Sequence, residues 1–442
     1  MGVALRWAQA HNSELFVADQ GTSDNSSDSK DSGSECSLGL VLPGGGARGA
    51  YQVGVLKALA ELLPPRTPSP FRVISGTSAG AINSVVLASR AKLFRSAVAD
   101  MELVWSHFRS EQVYRSDPWT MLKTSLHWFV SLVTGGTLLR PPPSLLDNAP
   151  LRDLLCQNVR LENIQRSIDQ GHLDAVAVTA AGYDSARSIS FFQGTDDCLP
   201  WDRVRRKGRA ADIQLDYLMA SVAVPMVFPP VQIGYEYFGD GAMRHATPLS
   251  PAVRLGADRI LVVGVRNEVP DPVPSEPHPP SLGRIAGYML DALFLDGLSG
   301  DLERLTRLNT IIENAPGKVI ENEGEKLRFI EAFVMLPSED IREIAARHVK
   351  ELPWSVRMLL RGVGATSKGG AQLLSYLLFE SGFTRELIDL GYRDAMASKD
   401  ELLEFVQGKP VDVTAGIHGW SELEEEYTAQ FKAPDFSDYK PD

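Results

Sequence analysis

The sequence predicts an α/β fold with a mostly parallel central sheet and a C-terminal, mostly helical extension. Three observations predict it. Short apolar runs such as Leu38–Leu42 and Ile260–Val265 read as strands buried on both faces. The first two strand-like runs are each followed by a tight glycine turn and then a helical pattern, the alternation expected of parallel strands with covering helices. From about residue 281 onward the apolar spacing is mostly helical. With 442 residues the chain can bury one large core or two moderate ones.

The elements follow in order. Residues 1–37 read as a flexible leader, because 19–35 are rich in Ser, Asp and Gly with almost no large apolar side chain to offset the entropy of ordering. Leu38–Leu42 is the first strand, broken by Pro43 and the glycines after it. Residues Ala50–Leu63 place Val53, Leu56, Ala60 and Leu63 on one helical stripe, which Pro64 and Pro65 end. Phe71–Ser75 is the second strand, Gly76–Gly80 a turn, and Ala81–Leu93 a helix. Ala175–Ala180, Ile189–Gln193 and Ile260–Val265 are further strands. A core over 38–270 is thus expected, then a Pro-rich linker over 271–280, a helical extension over 281–428 packed on the core, and a tail over 429–442. Within the extension Ile285–Ile312 carries Leu298, Leu302, Leu305 and Ile312 at helical spacing. Phe329–Leu336 is one further strand, and Ile341–Val406 reads as several helices.

Bulk properties exclude some functions. A net charge of -12 argues against a general nucleic-acid binder, which needs clustered Lys and Arg, and against docking by a polybasic patch on anionic lipid. Membrane contact would be local and apolar. The three cysteines, Cys36, Cys156 and Cys198, have no paired spacing, so neither a disulfide framework nor a zinc site is expected. No secretory signal and no bilayer-spanning run is visible. These features predict a cytoplasmic protein, peripheral at a membrane at most. Nothing resembles a calcium loop; no metal or cofactor is expected, and activity should survive a chelator.

Three elements carry chemistry. Gly76–Thr77–Ser78–Ala79–Gly80 sets a serine between small residues on a strand-to-helix turn, the pattern of a nucleophile elbow. Such a turn lifts Oγ above the sheet edge and aims the following helix's amides at it. The same five residues also fit an ordinary glycine turn. Gly44–Gly45–Gly46–Ala47–Arg48–Gly49 lies between another strand and helix, and a glycine run there can turn N–H groups toward one oxyanion. Gly44, Gly46 and Gly49 also match a dinucleotide loop, but Ser75–Gly76 stands where that loop's acidic partner belongs, and no Gly-Lys-Ser/Thr follows for a phosphate loop. Asp240–Gly241–Ala242 follows an aromatic, strand-like stretch, Tyr235–Phe238. A carboxylate on such a turn can serve as a general base, although Asp-Gly is also a common hairpin turn.

Together, and in this order, these elements resemble the patatin-like phospholipase family, which pairs a Gly-Gly-Gly-x-Arg-Gly loop with a Gly-x-Ser-x-Gly elbow and a later Asp-Gly-Ala or Asp-Gly-Gly. The resemblance extends to Ala220–Pro225 and Phe228–Pro230 and looks continuous from about Leu38 to Val265. The stretch Gly287–Asp296, through Asn309, resembles a downstream region of bacterial members. The resemblance implies a three-layer α/β/α sandwich and a lipid acyl-ester hydrolase of phospholipase A or lysophospholipase type. It implies a phospholipid or other acyl-lipid substrate. It also implies Ser78 as nucleophile and Asp240 as base, with amides of Gly44, Gly45 and Gly46 as oxyanion hole. Arg48 either steadies that loop or meets a phosphate head group; Gly49, Gly76, Gly80, Gly241 and Ala242 complete the motifs. Two other functions remain on the same fold. One is an acyltransferase, although the similar acyl-carrier transferases place a histidine where Thr77 stands. The other is a non-catalytic regulatory or interaction protein.

A Ser–Asp dyad requires no histidine. Of the eight histidines only His245, five residues beyond Asp240, could make a triad in the order used by α/β-hydrolases. Those enzymes place several strands before the strand that leads into the elbow, whereas only Leu38–Leu42 precedes Phe71–Ser75 here. Finally, Trp119, Leu122, Leu126, Phe129, Val130 and Val133 recur at helical spacing within 118–133. The stripe reads first as a helix packed in the core, and alternatively as a cap over the acyl pocket that touches a lipid surface.

Overall fold

The computed structural model describes residues 37–409, apart from 118, 120–122, 124–125, 128–129, 132, 136, 138–143, 246, 268–278, 280, 295, 315–320, 323–324, 363 and 366–369. The expected leader, most of the Pro-rich linker and the tail lie outside these residues.

In chain order the elements are β1 (Leu38–Leu42), α1 (Ala50–Leu62), β2 (Val73–Thr77), α2 (Ala79–Ala88), α3 (Phe94–Ser106), α4 (Ser110–Val113), α5 (Ala149–Asn158) and α6 (Glu162–Asp169). Then come β3 (Ala175–Gly182), β4 (Ser188–Gly194), β5 (Trp201–Asp202), β6 (Arg206–Ala210), α7 (Leu215–Ser221), β7 (Val231–Ile233), β8 (Glu236–Asp240), α8 (Ser250–Arg254) and β9 (Arg259–Val263). The remainder comprises α9 (Leu282–Phe294), α10 (Asp296–Glu313), the small hairpin β10 (Glu321–Asn322) and β11 (Glu325–Lys326), β12 (Glu331–Met335), α11 (Ile341–His348), α12 (Trp354–Gly362), α13 (Ala371–Leu377), α14 (Ser381–Ala397) and α15 (Lys399–Val406).

Strands β12, β9, β1, β2, β3, β4, β6 and β5 lie side by side in that order, with β8 paired to β3 and β7 to β8. From β12 through β3 every pairing is parallel; β4 and β8 run antiparallel to β3. The fold is therefore α/β with a mostly parallel sheet between helical layers, as the apolar runs predict. Alternation along the strands divides the core in two. Leu38, Leu40 and Leu42 of β1 and Leu261 and Val263 of β9 face the larger cluster with α1, α2, α3 and α14. Val41, Ile260 and Val262 face the smaller one with α8 and α10.

Three readings shift. The second strand starts at Val73, because Phe71 is held locally by its N–H donating to Ser69 Oγ at 3.2 Å. The helical stretch 285–312 is two helices, with Phe294 ending the first and Asp296–Gly297 opening the second. Trp119, Leu126 and Val133 are 76%, 58% and 68% exposed, which overturns core packing for these three; Leu122 and Phe129 lie outside the described residues. Spaced seven apart, the three exposed side chains fall on one face of a helix, and that face meets solvent.

Candidate active site

Backbone register brings the elbow and the acidic turn together. Parallel β2 ends with Thr77 opposite Thr179 of β3. Antiparallel β8 arrives from the other direction along the same edge of β3 and ends with Asp240 opposite Ala180. The two strands meet nearly end to end, so Ser78, one residue past Thr77, faces Asp240. A Cβ on Gly241 would lie 2.9 Å from Thr77 Cγ2 and 2.2 Å from the Thr179 carbonyl, which is why glycine follows the aspartate. Asp240 is the last residue of β8 itself, not of a turn beyond it.

Ser78 takes φ 54° and ψ -129°, a conformation that L residues rarely adopt. Its N–H donates to Ser221 Oγ at 2.8 Å, and Ser221 in turn donates to the Thr179 carbonyl at 2.7 Å. The strained elbow is thus tied to the strand that registers Asp240. Gly80 is required by close approach: a Cβ there would sit 2.0 Å from the Leu42 carbonyl oxygen. Ser78 precedes α2, so the positive end of that helix's dipole lies at the hydroxyl.

Asp240 is almost fully buried. Burial raises its pKa from the ordinary carboxylate range to about 7, while the Ser78 hydroxyl and the Ala242 N–H, which donates to Oδ1 at 3.0 Å, pull it back down. Among the described residues Oδ2 has no close hydrogen-bond partner. A buried carboxylate with one satisfied oxygen and one open oxygen next to a serine can accept that serine's proton.

The glycine loop stands on the other side of Ser78. A Cβ added to Gly44 would come within 2.9 Å of Ser78 Cβ and 2.6 Å of the Phe294 ring. Amides of Gly44, Gly45 and Gly46 donate none of the hydrogen bonds found among the described residues. Arg48 holds this loop from beneath. It is 1% exposed. Its Nε and Nη2 donate to Ser375 Oγ at 2.9 and 2.7 Å, its Nη1 lies 3.3 Å from Asp291, and its guanidinium covers the Tyr376 ring at 3.9 Å. Such enclosure makes Arg48 a brace and leaves it no route to a phosphate head group. Asp291 also accepts from Tyr376 Oη at 2.5 Å and pairs with Arg266. A second polar chain supports the loop: Gln52 Nε2 donates to the Pro43 carbonyl, Asn83 Nδ2 to the Gly49 carbonyl and to Gln52, and Trp105 Nε1 to Asn83.

From Ser78 an apolar cavity of about 190 Å³ runs along one face of α2, past Ala79, Ile82 and Val86 to Arg90, with Trp105 and Phe294 among its walls. None of the described residues of 118–133 lines it. Polar chemistry at one end and a long apolar wall suit an ester with an aliphatic acyl chain.

His245 lies apart from this pair. Its Nδ1 is 3.3 Å from Ser188 Oγ, and burial followed by the nearby Arg206 pushes its pKa down to about 4. Among the described residues no hydrogen bond joins His245 to Asp240, whose ionisation is set by burial, Ser78 and the Ala242 N–H. Motif reading did not assign roles to Ser221, Gln52, Asn83, Trp105, Asp291, Ser375 or Tyr376. Ser221 and Asp291 do fall in stretches that carry the family resemblance, which was the one available signal.

Over 74 residues the chain is 45% identical to a lysophospholipase, nte1, of Aspergillus terreus, and 43% identical to that of Aspergillus oryzae. Each match spans 15% of this chain and 4% of the relative's length, so the chain corresponds to a small part of those proteins. Among solved structures, human GIVD cytosolic phospholipase A2 is 13% identical with a TM-score of 0.38, over 84% of this chain and 59% of that one. VipD from Legionella pneumophila is 14% identical with a TM-score of 0.29, over 91% and 82%. Residues 40–253, which hold the glycine loop, the elbow and the acidic turn, match the family described as Patatin-like phospholipase. Residues 40–253 therefore form a patatin-like phospholipase domain.

Proposed function

We propose that the protein hydrolyses acyl esters of phospholipids or lysophospholipids, with Ser78 as nucleophile and Asp240 as its base. The observation that carries this reading is the end-to-end meeting of β2 and β8 against consecutive residues of β3, with the open Oδ2 of Asp240 beside Ser78. Asp240 takes the hydroxyl proton as Ser78 Oγ attacks the ester carbonyl. Amides of Gly44–Gly46 hold the oxyanion, and the α2 dipole favours the same charge. Collapse expels the lyso-lipid alcohol, which leaves with the proton from Asp240. Water, deprotonated by Asp240, then releases the fatty acid from Ser78. The acyl chain fits the apolar cavity along α2.

No helix among the described residues is long and apolar enough to cross a membrane. The exposed face of Trp119, Leu126 and Val133 supports transient contact with a lipid surface. The test is product analysis on defined phospholipids. Ser78→Ala and Asp240→Asn should each lower turnover about 10⁴-fold or more while leaving the fold intact. Hydrolysis that persists in folded Ser78→Ala, or an equal loss in His245→Ala, would overturn the dyad.

A further inference from the structure

A second cavity, about 870 Å³, opens against Ala292 and Leu293 of α9. Its walls include Arg203, Arg205 and Arg206 of the β5–β6 hairpin, Arg244 and His245 just beyond the acidic turn, and Arg304 of α10. All five ionised side chains among its described lining residues are arginines. In a chain of net charge -12 this concentration is not a consequence of composition.

Two of the guanidiniums, those of Arg206 and Arg304, are held in place. Arg206 Nη1 donates to Thr247 Oγ1 at 2.5 Å, and Arg304 Nη1 lies 3.5 Å from Asp301, whose Oδ2 accepts from the Leu249 N–H. Half-buried like charges destabilise one another. Burial lowers the pKa of Arg206; Asp301 offsets part of this, and Arg304 and Arg203 push it down further. Arg254 is lowered in the same way, by burial and then by Arg203 and Arg206. An anion with several charges would relieve this repulsion, and the planar guanidinium fork matches phosphate oxygens two at a time. The concave shape admits a small ligand and not a nucleic-acid duplex.

We propose that this cavity binds a small, multiply phosphorylated anion, either a soluble one or the head group of a phosphorylated lipid that is not the hydrolysed ester. The site is separate from the catalytic pair but shares a helix with it. Leu290 and Phe294 of α9 line the Ser78 cavity, and Ala292 and Leu293 of the same helix line the arginine cavity. A bound anion therefore rests against the helix that seats Phe294 over Gly44.

Calorimetric titration of the full chain with inositol trisphosphate and with inorganic phosphate tests the soluble source. Sedimentation with phosphatidylcholine vesicles, carrying either phosphatidylinositol bisphosphate or charge-matched phosphatidylserine, tests the lipid source. Saturable binding of the trisphosphate, or of the bisphosphate vesicles, should be tighter by about tenfold or more than binding of the matched control. Arg205→Gln with Arg304→Gln should weaken it by about tenfold, as should Arg203→Gln alone, with the melting profile and basal p-nitrophenyl ester hydrolysis unchanged. Trisphosphate binding identifies a free anion, and vesicle binding alone identifies a head group; both uphold the site. No preference over the controls, tighter binding of polyglutamate, or undiminished binding in both folded variants would refute it.

Discussion

The two halves of the candidate site are held by different forces. The Ser78–Asp240 half is fixed by main-chain register: β2 and β8 are both ruled off against β3, and Ser221 bonds backbone to backbone. The glycine-loop half is fixed by buried side chains that come from far along the chain. Arg48 rests on Asp291, Ser375 and Tyr376, while Gln52 and Asn83 hold the loop's carbonyls and Trp105 holds Asn83. Strand pairing thus sets the first half, and buried side-chain contacts decide whether the second half is in place.

The largest effect that should separate the halves is on stability. Asp291→Ala leaves Arg48 buried without its countercharge and should cost about 3–5 kcal/mol, read as a lowered denaturation midpoint. A midpoint equal to that of the wild type would mean that the brace is not structural. The next effect belongs to the main-chain half alone. With Asp240 raised to about 7 and active only when ionised, kcat/KM should be full above pH 7 and fall about tenfold per unit below it. The sign for stability is opposite. A buried carboxyl with a raised pKa stabilises the fold while protonated and loses that contribution as pH rises through about 7. Asp240→Asn should therefore melt higher than wild type in alkaline buffer. A flat activity profile between pH 5 and 8 would argue against Asp240 as base. The smallest effect is local: Ser221→Ala removes the acceptor for the Ser78 N–H and should cost about 1–3 kcal/mol, partly as a roughly tenfold loss in kcat with KM unchanged. A change in KM alone would place Ser221 in substrate binding.

What could be read in advance follows the same division. Strands such as Leu38–Leu42 and Ala175–Gly182 are written in continuous apolar runs, and the elbow, loop and acidic turn each span a few consecutive residues. Their chemistry is local, so their letters suffice. That Asp240 would end opposite Ala180 depends on the pairing of three strands, two of them about 60 residues apart, and no local pattern encodes it. Asp291 looks like any polar residue on an amphipathic helix until α9, α13 and the glycine loop are brought together. The stripe at 118–133 misled for a related reason. Periodicity marks an apolar face but not what covers it, and Trp119, Leu126 and Val133 turn theirs outward.

Because Thr77 and Asp240 are set against neighbouring positions of a single strand, the ends of the two strands that carry the site are offset along β3 by one residue step, about 3.3 Å. Outer helices can slide, be exchanged or accept insertions without altering that measure. Lineages or engineers could therefore reshape substrate preference by grafting onto the periphery, whereas a single deletion inside residues 175–182 would throw the chemistry out of alignment.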